Sequence, residues 1–195
     1  MTAGFDTAPL VEVDPDGRNF RMYRERVYTD WNGTEFVIPQ GFKTDFATIP
    51  GIVAWAVEKL GAWTYAAIVH DLLCAGLNRW HEAAEAVERG EADFVSGHVY
   101  AIRYRGRVIE FPKADSVDTD RIFYRIARAH GVDRVTANLL WTGVRWGALF
   151  NAARREGFMR DFWPWLGLSL AYLPVMVLPA WAGRPLLRLA RWVIG

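Results

Sequence analysis

Cysteine and lysine are nearly missing from this chain. Cys74 is the only cysteine in 195 residues, which excludes an intrachain disulfide and a cysteine-rich zinc cage. Lysine occurs only at Lys43, Lys59 and Lys113, and the formal net charge is +1. A surface built throughout to hold nucleic acid needs a far more basic balance, so no nucleic-acid partner is expected. The opening stretch "MTAGFDTAPLVEVDPDG" has no basic segment followed by an apolar run, so a conventional secretion signal is not expected. A phosphate-binding glycine loop, a Gly-x-Ser-x-Gly elbow and a His-Glu-x-x-His pair are also absent from the sequence.

What is present favours a packed core. Hydrophobic residues make up 52% of the chain and aromatics 14%, enough to exclude wholesale disorder. Residues 1–19 read as an arm with a short strand and a turn. "FRMYRERVY" and "TEFVIP" then flank Asn32-Gly33, a hairpin signal because both turn positions tolerate positive φ. "GFKTDFATIPG", residues 41–51, reads as a loop.

Helical spacing resumes in "IVAWAVEKLG" and again in "AWTYAAIVHDLLCAG", which is apolar on nearly every side and is expected to stop at Gly76. An exposed helix is expected over 79–97. Its acids Glu82, Glu85, Glu88, Glu91 and Asp93 form a solvated face. A second hairpin follows around Arg105-Gly106. One helix then ends at Gly131, and another runs from the cap Asp133 to about Glu156. The expected architecture is α+β, a helical core with two small antiparallel hairpins. Residues 20–157 would form the main domain, 80–115 an insertion within it, and 158–195 an apolar segment with a basic tail.

Residues 162–182, "FWPWLGLSLAYLPVMVLPAWA", carry no formal charge. As one helix they would cover roughly 30 Å, the thickness of a bilayer's hydrocarbon core, with Trp163, Trp165 and Trp181 near the two ends. Two short core helices broken at Pro174 are the alternative. Beyond them Arg184, Arg188 and Arg191 recur at helical spacing against Leu187, Leu189, Trp192 and Ile194, the pattern of a basic interfacial helix. A membrane is therefore an expected partner.

The chemistry centres on "AAIVHDLLCAG". His70 and Asp71 are neighbours on one helix, so their side chains diverge by about 100° and each needs a partner elsewhere. Asp45 and Asp120 are the nearest candidates. In one arrangement His70 is a general base, Asp120 orients it, and Asp71 with loop carbonyls holds a hard cation such as calcium. In the other, His70 and Asp71 tie down the loop that carries Thr44, Asp45 and Thr48, with no chemistry at all. Cys74 lies one turn after His70 on the same face and reads as an inert core residue. His81, His98 and His130 read as surface histidines.

"VIPQGFKTDFATIP", residues 37–50, followed by "AAIVHDLL" and later by "DTDRIFYRIARAHGVDR", resembles the phage-associated family known as domain of unknown function 1353, over about residues 20–150. The resemblance implies a phage setting and no particular reaction. Thr48 stands where the family usually has Ser, and Cys74 where Tyr is common. The His-Asp helix is also similar to that of secreted phospholipase A2 enzymes, which implies a base at His70, calcium at Asp71 and an orienting Asp120. The loop here is not glycine-rich, so the likeness is one of constellation only. The expected function is a membrane-associated His/Asp hydrolase acting on a lipid or cell-envelope substrate. The alternatives are a non-catalytic virion component of the tail or tail tip, in contact with other phage proteins, and a membrane-anchored adaptor. The expected location is the virion or the bacterial membrane.

Overall fold

The computed structural model describes residues 4–14, 19–46, 61–94, 101–104, 106–110, 115–155, 158–177 and 180–194. The Asn-Gly signal is realised: β4 (Arg26–Thr29) and β5 (Glu35–Ile38) pair antiparallel across a turn in which Gly33 takes φ 81°. Strand alternation buries Tyr28 and Ile38 on one face. The short β1 (Gly4–Phe5) adds to β4 on the other side.

A second sheet has the order β2-β3-β6, from β2 (Val11–Val13), β3 (Phe20–Met22) and β6 (Lys43–Thr44). The third is β7 (Ala92–Phe94), β8 (Ala101–Tyr104) and β9 (Arg107–Glu110), with Tyr104 paired to Arg107 across a turn at Gly106, φ 74°. Both expected hairpins are thus present, each inside a three-stranded antiparallel sheet. The β2-β3-β6 sheet was not anticipated, because strands of two or three residues are too short to show a period of two.

The helices are α1 (Thr64–Glu88), α2 (Ser116–Ala129), α3 (Arg134–Phe150), α4 (Ala152–Arg155), α5 (Phe162–Val177) and α6 (Ala180–Ile194). Asp115 caps α2 by accepting from the Asp118 N–H at 2.8 Å, and Asp133 caps α3 by accepting from the Thr136 N–H at 2.9 Å. Gly131, at φ 86°, turns the chain between them.

Helix α1 does not stop at Gly76, and it absorbs much of the separate helix expected over 79–97. A helix-interior glycine costs only about 0.5–1 kcal/mol, and burial of Gly76 and Leu77 outweighs it here. Beyond α1, residues 92–94 are strand. Helix α3 ends at Phe150, where Asn151 is extended, and the remainder of the expected stretch becomes α4. The helix expected over 52–61 falls almost wholly outside the described residues.

The C-terminal expectation is corrected. Residues 162–182 do not form one span: α5 is 16 residues long and contains Pro174, and a second helix starts at Ala180. Sixteen residues cover about 24 Å at 1.5 Å each, short of roughly 30 Å. Among the described residues no helix is long and apolar enough to cross a membrane. Trp165 is buried, its ring 4.8 Å from Trp146 and 5.0 Å from Phe158. It serves the core rather than an interface.

One core joins these parts. Met22, Tyr28 and Ile38 from the sheets and Phe46 from the loop after β6 meet Ala66, Val69 and Leu73 of α1, Phe123 and Ile126 of α2, and Val135 and Leu139 of α3. Tyr172 of α5 and Leu187 of α6 close the far side. Leu73→Ala should cost about 2–5 kcal/mol in urea unfolding. Leu170→Ala, on the exposed face of α5, should move stability by less than about 0.5 kcal/mol.

Candidate functional site

The central helix α1 brings His70 into the core at 4% exposure and leaves Asp71 at its edge. Helix α2, started by its Asp115 cap, carries Asp120 beneath the ring, fully buried. The His70 Nε2–H donates to Asp120 Oδ1 at 2.9 Å. Phe123, one turn further along α2, packs edge-on against the imidazole at 5.3 Å between centroids. Of the two acids the sequence left open, Asp120 meets the ring, while Asp45 is exposed.

A buried carboxylate with a single donor would be costly. Two arginines meet that cost. From α3, the fully buried Arg145 donates through Nη1 to Asp120 Oδ2 at 2.8 Å and through Nη2 to the Phe158 carbonyl at 3.1 Å. Its guanidinium carbon also lies 4.7 Å from the Phe158 ring centroid. From α4, Arg154 donates through Nη2 to Asp120 Oδ1 at 2.5 Å and to the Val144 carbonyl at 3.0 Å. The same nitrogen is 3.4 Å from His70 Nε2. Since that imidazole nitrogen already donates to Asp120, donor faces donor there and no bond is made.

The charges follow from these contacts. Burial alone would raise the Asp120 pKa, but the hydrogen bond from His70, the charge of Arg154 and the bond from Arg145 hold it below its ordinary 3.8. For His70, burial disfavours the charged ring. The neighbouring Cys74, Asp120 and Asp71 outweigh it and place the pKa well above 6.5. Cys74 Sγ lies 3.7 Å from both ring nitrogens.

Asp71 plays a different part. Its Oδ1 is 3.8 Å from His70 Nδ1, too far for a hydrogen bond. Its Oδ2 accepts from the Thr44 hydroxyl, which in turn accepts from the Phe46 N–H at 3.0 Å. Phe46 stands at φ 55°, a left-handed position rarely taken by a bulky residue, and its ring packs 4.3 Å from Phe20. Thr44 thus pins the loop to α1 by its side-chain hydroxyl. Thr48 lies outside the described residues.

Calcium takes six to eight oxygen ligands. Around Asp71 the described contacts are the Thr44 hydroxyl and the His70 ring, and the carbonyls of residues 47–51 that were expected to contribute lie outside the described residues. Among the described residues no group of three or more His, Cys, Asp and Glu is placed to hold a metal.

Two cavities border the fold elsewhere. One of about 500 Å³ is lined by Asp30, Phe36, Leu72 and Arg125, and one of about 430 Å³ by Arg121, Tyr124, Trp141 and Leu168. Neither is lined by His70, Asp71 or Asp120. The remaining histidines divide: His81 is half exposed beside Glu85 at 3.4 Å, His98 is outside the described residues, and His130 stacks on Tyr65 at 4.6 Å. Partial burial lowers the His130 pKa, so it is less of a surface residue than its sequence context indicated.

Of the residues assigned to a membrane, Trp163 is exposed, Trp165 is buried and the Trp181 side chain is outside the described set. Arg184 and Arg188 are exposed, whereas Arg191 reaches Thr136 Oγ1 at 2.8 Å and Asp133 Oδ2 at 3.5 Å.

Sequence reasoning missed Arg145 and Arg154. Arg145 had a readable signal: with Trp141 and Ala148 it sits at i, i+4, i+7 on the buried face of α3, where a cation demands a buried anion. Arg154 sits beside Arg155 in a polar stretch and gave none.

Asp120→Asn should destabilise the protein by about 3–5 kcal/mol, because two interior guanidiniums lose their counter-charge. The pH dependence has two arms. With its folded pKa raised, His70 contributes stability that is full below 6.5 and lost as pH rises through the folded value. With its folded pKa lowered, Asp120 contributes above 3.8 and loses that contribution as pH falls through the folded value. Urea titrations of wild type and His70→Gln across pH should show their stability gap narrowing on the alkaline side.

A family model described as protein of unknown function (DUF1353) matches residues 20–144. No curated protein and no solved structure matches the chain. The matched stretch holds Thr44, His70, Asp71 and Asp120, and it ends one residue before Arg145. With well over half of its length matched, the chain belongs to the DUF1353 family.

Proposed function

We propose that this protein is a non-catalytic assembly component, in the phage setting a part of the virion such as the tail or tail tip, and that the His70–Asp120 cluster is an architectural latch. The carrying observation is that His70 is 4% exposed while both oxygens of Asp120 are engaged by arginines. A general base must reach the proton it takes and must itself be unprotonated. His70 is sealed, and its surroundings favour the imidazolium. Large apolar side chains stand instead on the surface, among them Trp31, Phe150, Trp163 and Trp192. Large apolar side chains left in water are available for contact with other bodies of an assembly.

One contact favours a second reading. The 2.9 Å hydrogen bond between His70 and Asp120 is the geometry of a base and its orienting acid, the arrangement of a hydrolase acting on a lipid or envelope ester. Such an enzyme would have to open α1 away from α2 and strip the ring of its proton before turnover.

Chemical access separates the two. Under diethyl pyrocarbonate the half-exposed His81 should react at once, and His70 only at the rate of global unfolding. The purified protein should show no ester or phospholipid turnover that a His70→Gln variant of equal fold lacks. Mass spectrometry of particles from a phage encoding the chain should find it at structural copy number. Rapid native labelling of His70, joined to turnover that disappears in His70→Gln, would install the hydrolase reading in its place.

A further inference from the structure

The outward face of α6 is apolar where a solvated helix is polar. At 100° per residue, Trp192, Pro185, Leu189, Val193 and Leu186 cover an arc of about 120°, and all five are exposed. Leu187 lies on the opposite side with Ala190 on its flank, and both pack on the core. Between the two arcs, along one edge, run the arginines. Arg191 is drawn inward to Thr136 and Asp133. Among the described residues, Arg184 and Arg188 are exposed and face no acidic partner. Residues 162–195 contain three arginines and no Asp or Glu, within a chain whose net charge is +1.

We propose that α6 lies in the plane of an anionic lipid bilayer, with Leu189, Trp192 and Val193 below the headgroups and Arg184 and Arg188 at the level of the phosphates. Its 15 residues rule out crossing and suit lying flat. The arginine stems can follow the apolar surface while their heads meet phosphate. Indole is favoured at this depth. A second copy of the chain fits less well: a two-fold pairing through this face would set Arg184 and Arg188 of one copy near those of the other, with no acid on either helix to separate them. An anionic bilayer supplies the missing charge along with the apolar layer.

The test uses the full chain and vesicles of phosphatidylcholine, with and without phosphatidylglycerol. Flotation should recover the protein with the anionic vesicles, with a blue shift of tryptophan emission that raised salt reverses. R184Q/R188Q should weaken binding by about twenty-fivefold, at about fivefold for each arginine, and L189E/W192Q should abolish it. All four positions are exposed, so both variants should keep the wild-type melting temperature. Three results overturn the proposal. The protein could stay unbound at every phosphatidylglycerol content. It could bind both vesicle types alike and regardless of the α6 substitutions. Or sedimentation could show a dimer that L189E dissociates in a chain without vesicle affinity, which assigns the face to a second copy. His70 enters none of these readouts, so the outcome is independent of the latch.

Discussion

A single carboxylate, Asp120, accepts from three helices at once. Donors from α1, α3 and α4 converge on its two oxygens in a region without solvent. A charge so placed is tolerable only with its full set of partners, so the relative positions of four helices are fixed by the needs of one residue. The apolar contacts around it supply most of the stability, since buried area scales with energy and a buried ion pair roughly breaks even against desolvation. What the carboxylate adds is discrimination among packings. A shifted helix that would satisfy oil-like contacts equally well leaves a naked ion behind.

The same cluster explains the geometry of the loop. His70 is committed inward to Asp120, so its neighbour Asp71 points to the edge, where it accepts the Thr44 hydroxyl. That contact sets the end of β6 and, through the Phe46 N–H, a left-handed turn that drops the Phe46 ring onto Phe20. Adjacent residues on one helix thus serve two different layers of the molecule. The angular divergence of successive side chains on a helix makes the division unavoidable.

Much of this was legible in the text of the chain. The turn at Asn32-Gly33, the cap at Asp133 and the stop at Gly131 are local signals with local causes, and they sit where expected. That His70 needs an acid from another element was readable too, although Asp45 and Asp120 both remained open as that partner. Illegible were features that depend on tertiary context: the passage of α1 through Gly76, the strands of two or three residues, and the recruitment of Arg154 from a polar stretch. The uncharged run at 162–182 misled because composition does not reveal where a helix breaks. Its buried members Trp165 and Tyr172 contribute to a protein core, a use that hydropathy alone does not distinguish from a lipid-facing one.

The separations along the chain within the cluster have a kinetic meaning. His70 and Asp120 are 50 residues apart, Asp120 and Arg145 are 25, and Asp120 and Arg154 are 34. Contacts so distant reward the chain only after long loops have closed. Synthesis from the N-terminus delivers the histidine first, the acid next and the second guanidinium last. The carboxylate meets its imidazole only after the intervening chain has been made, and its two guanidiniums later still, so this interior cannot take its final form until the chain through Arg154 is available.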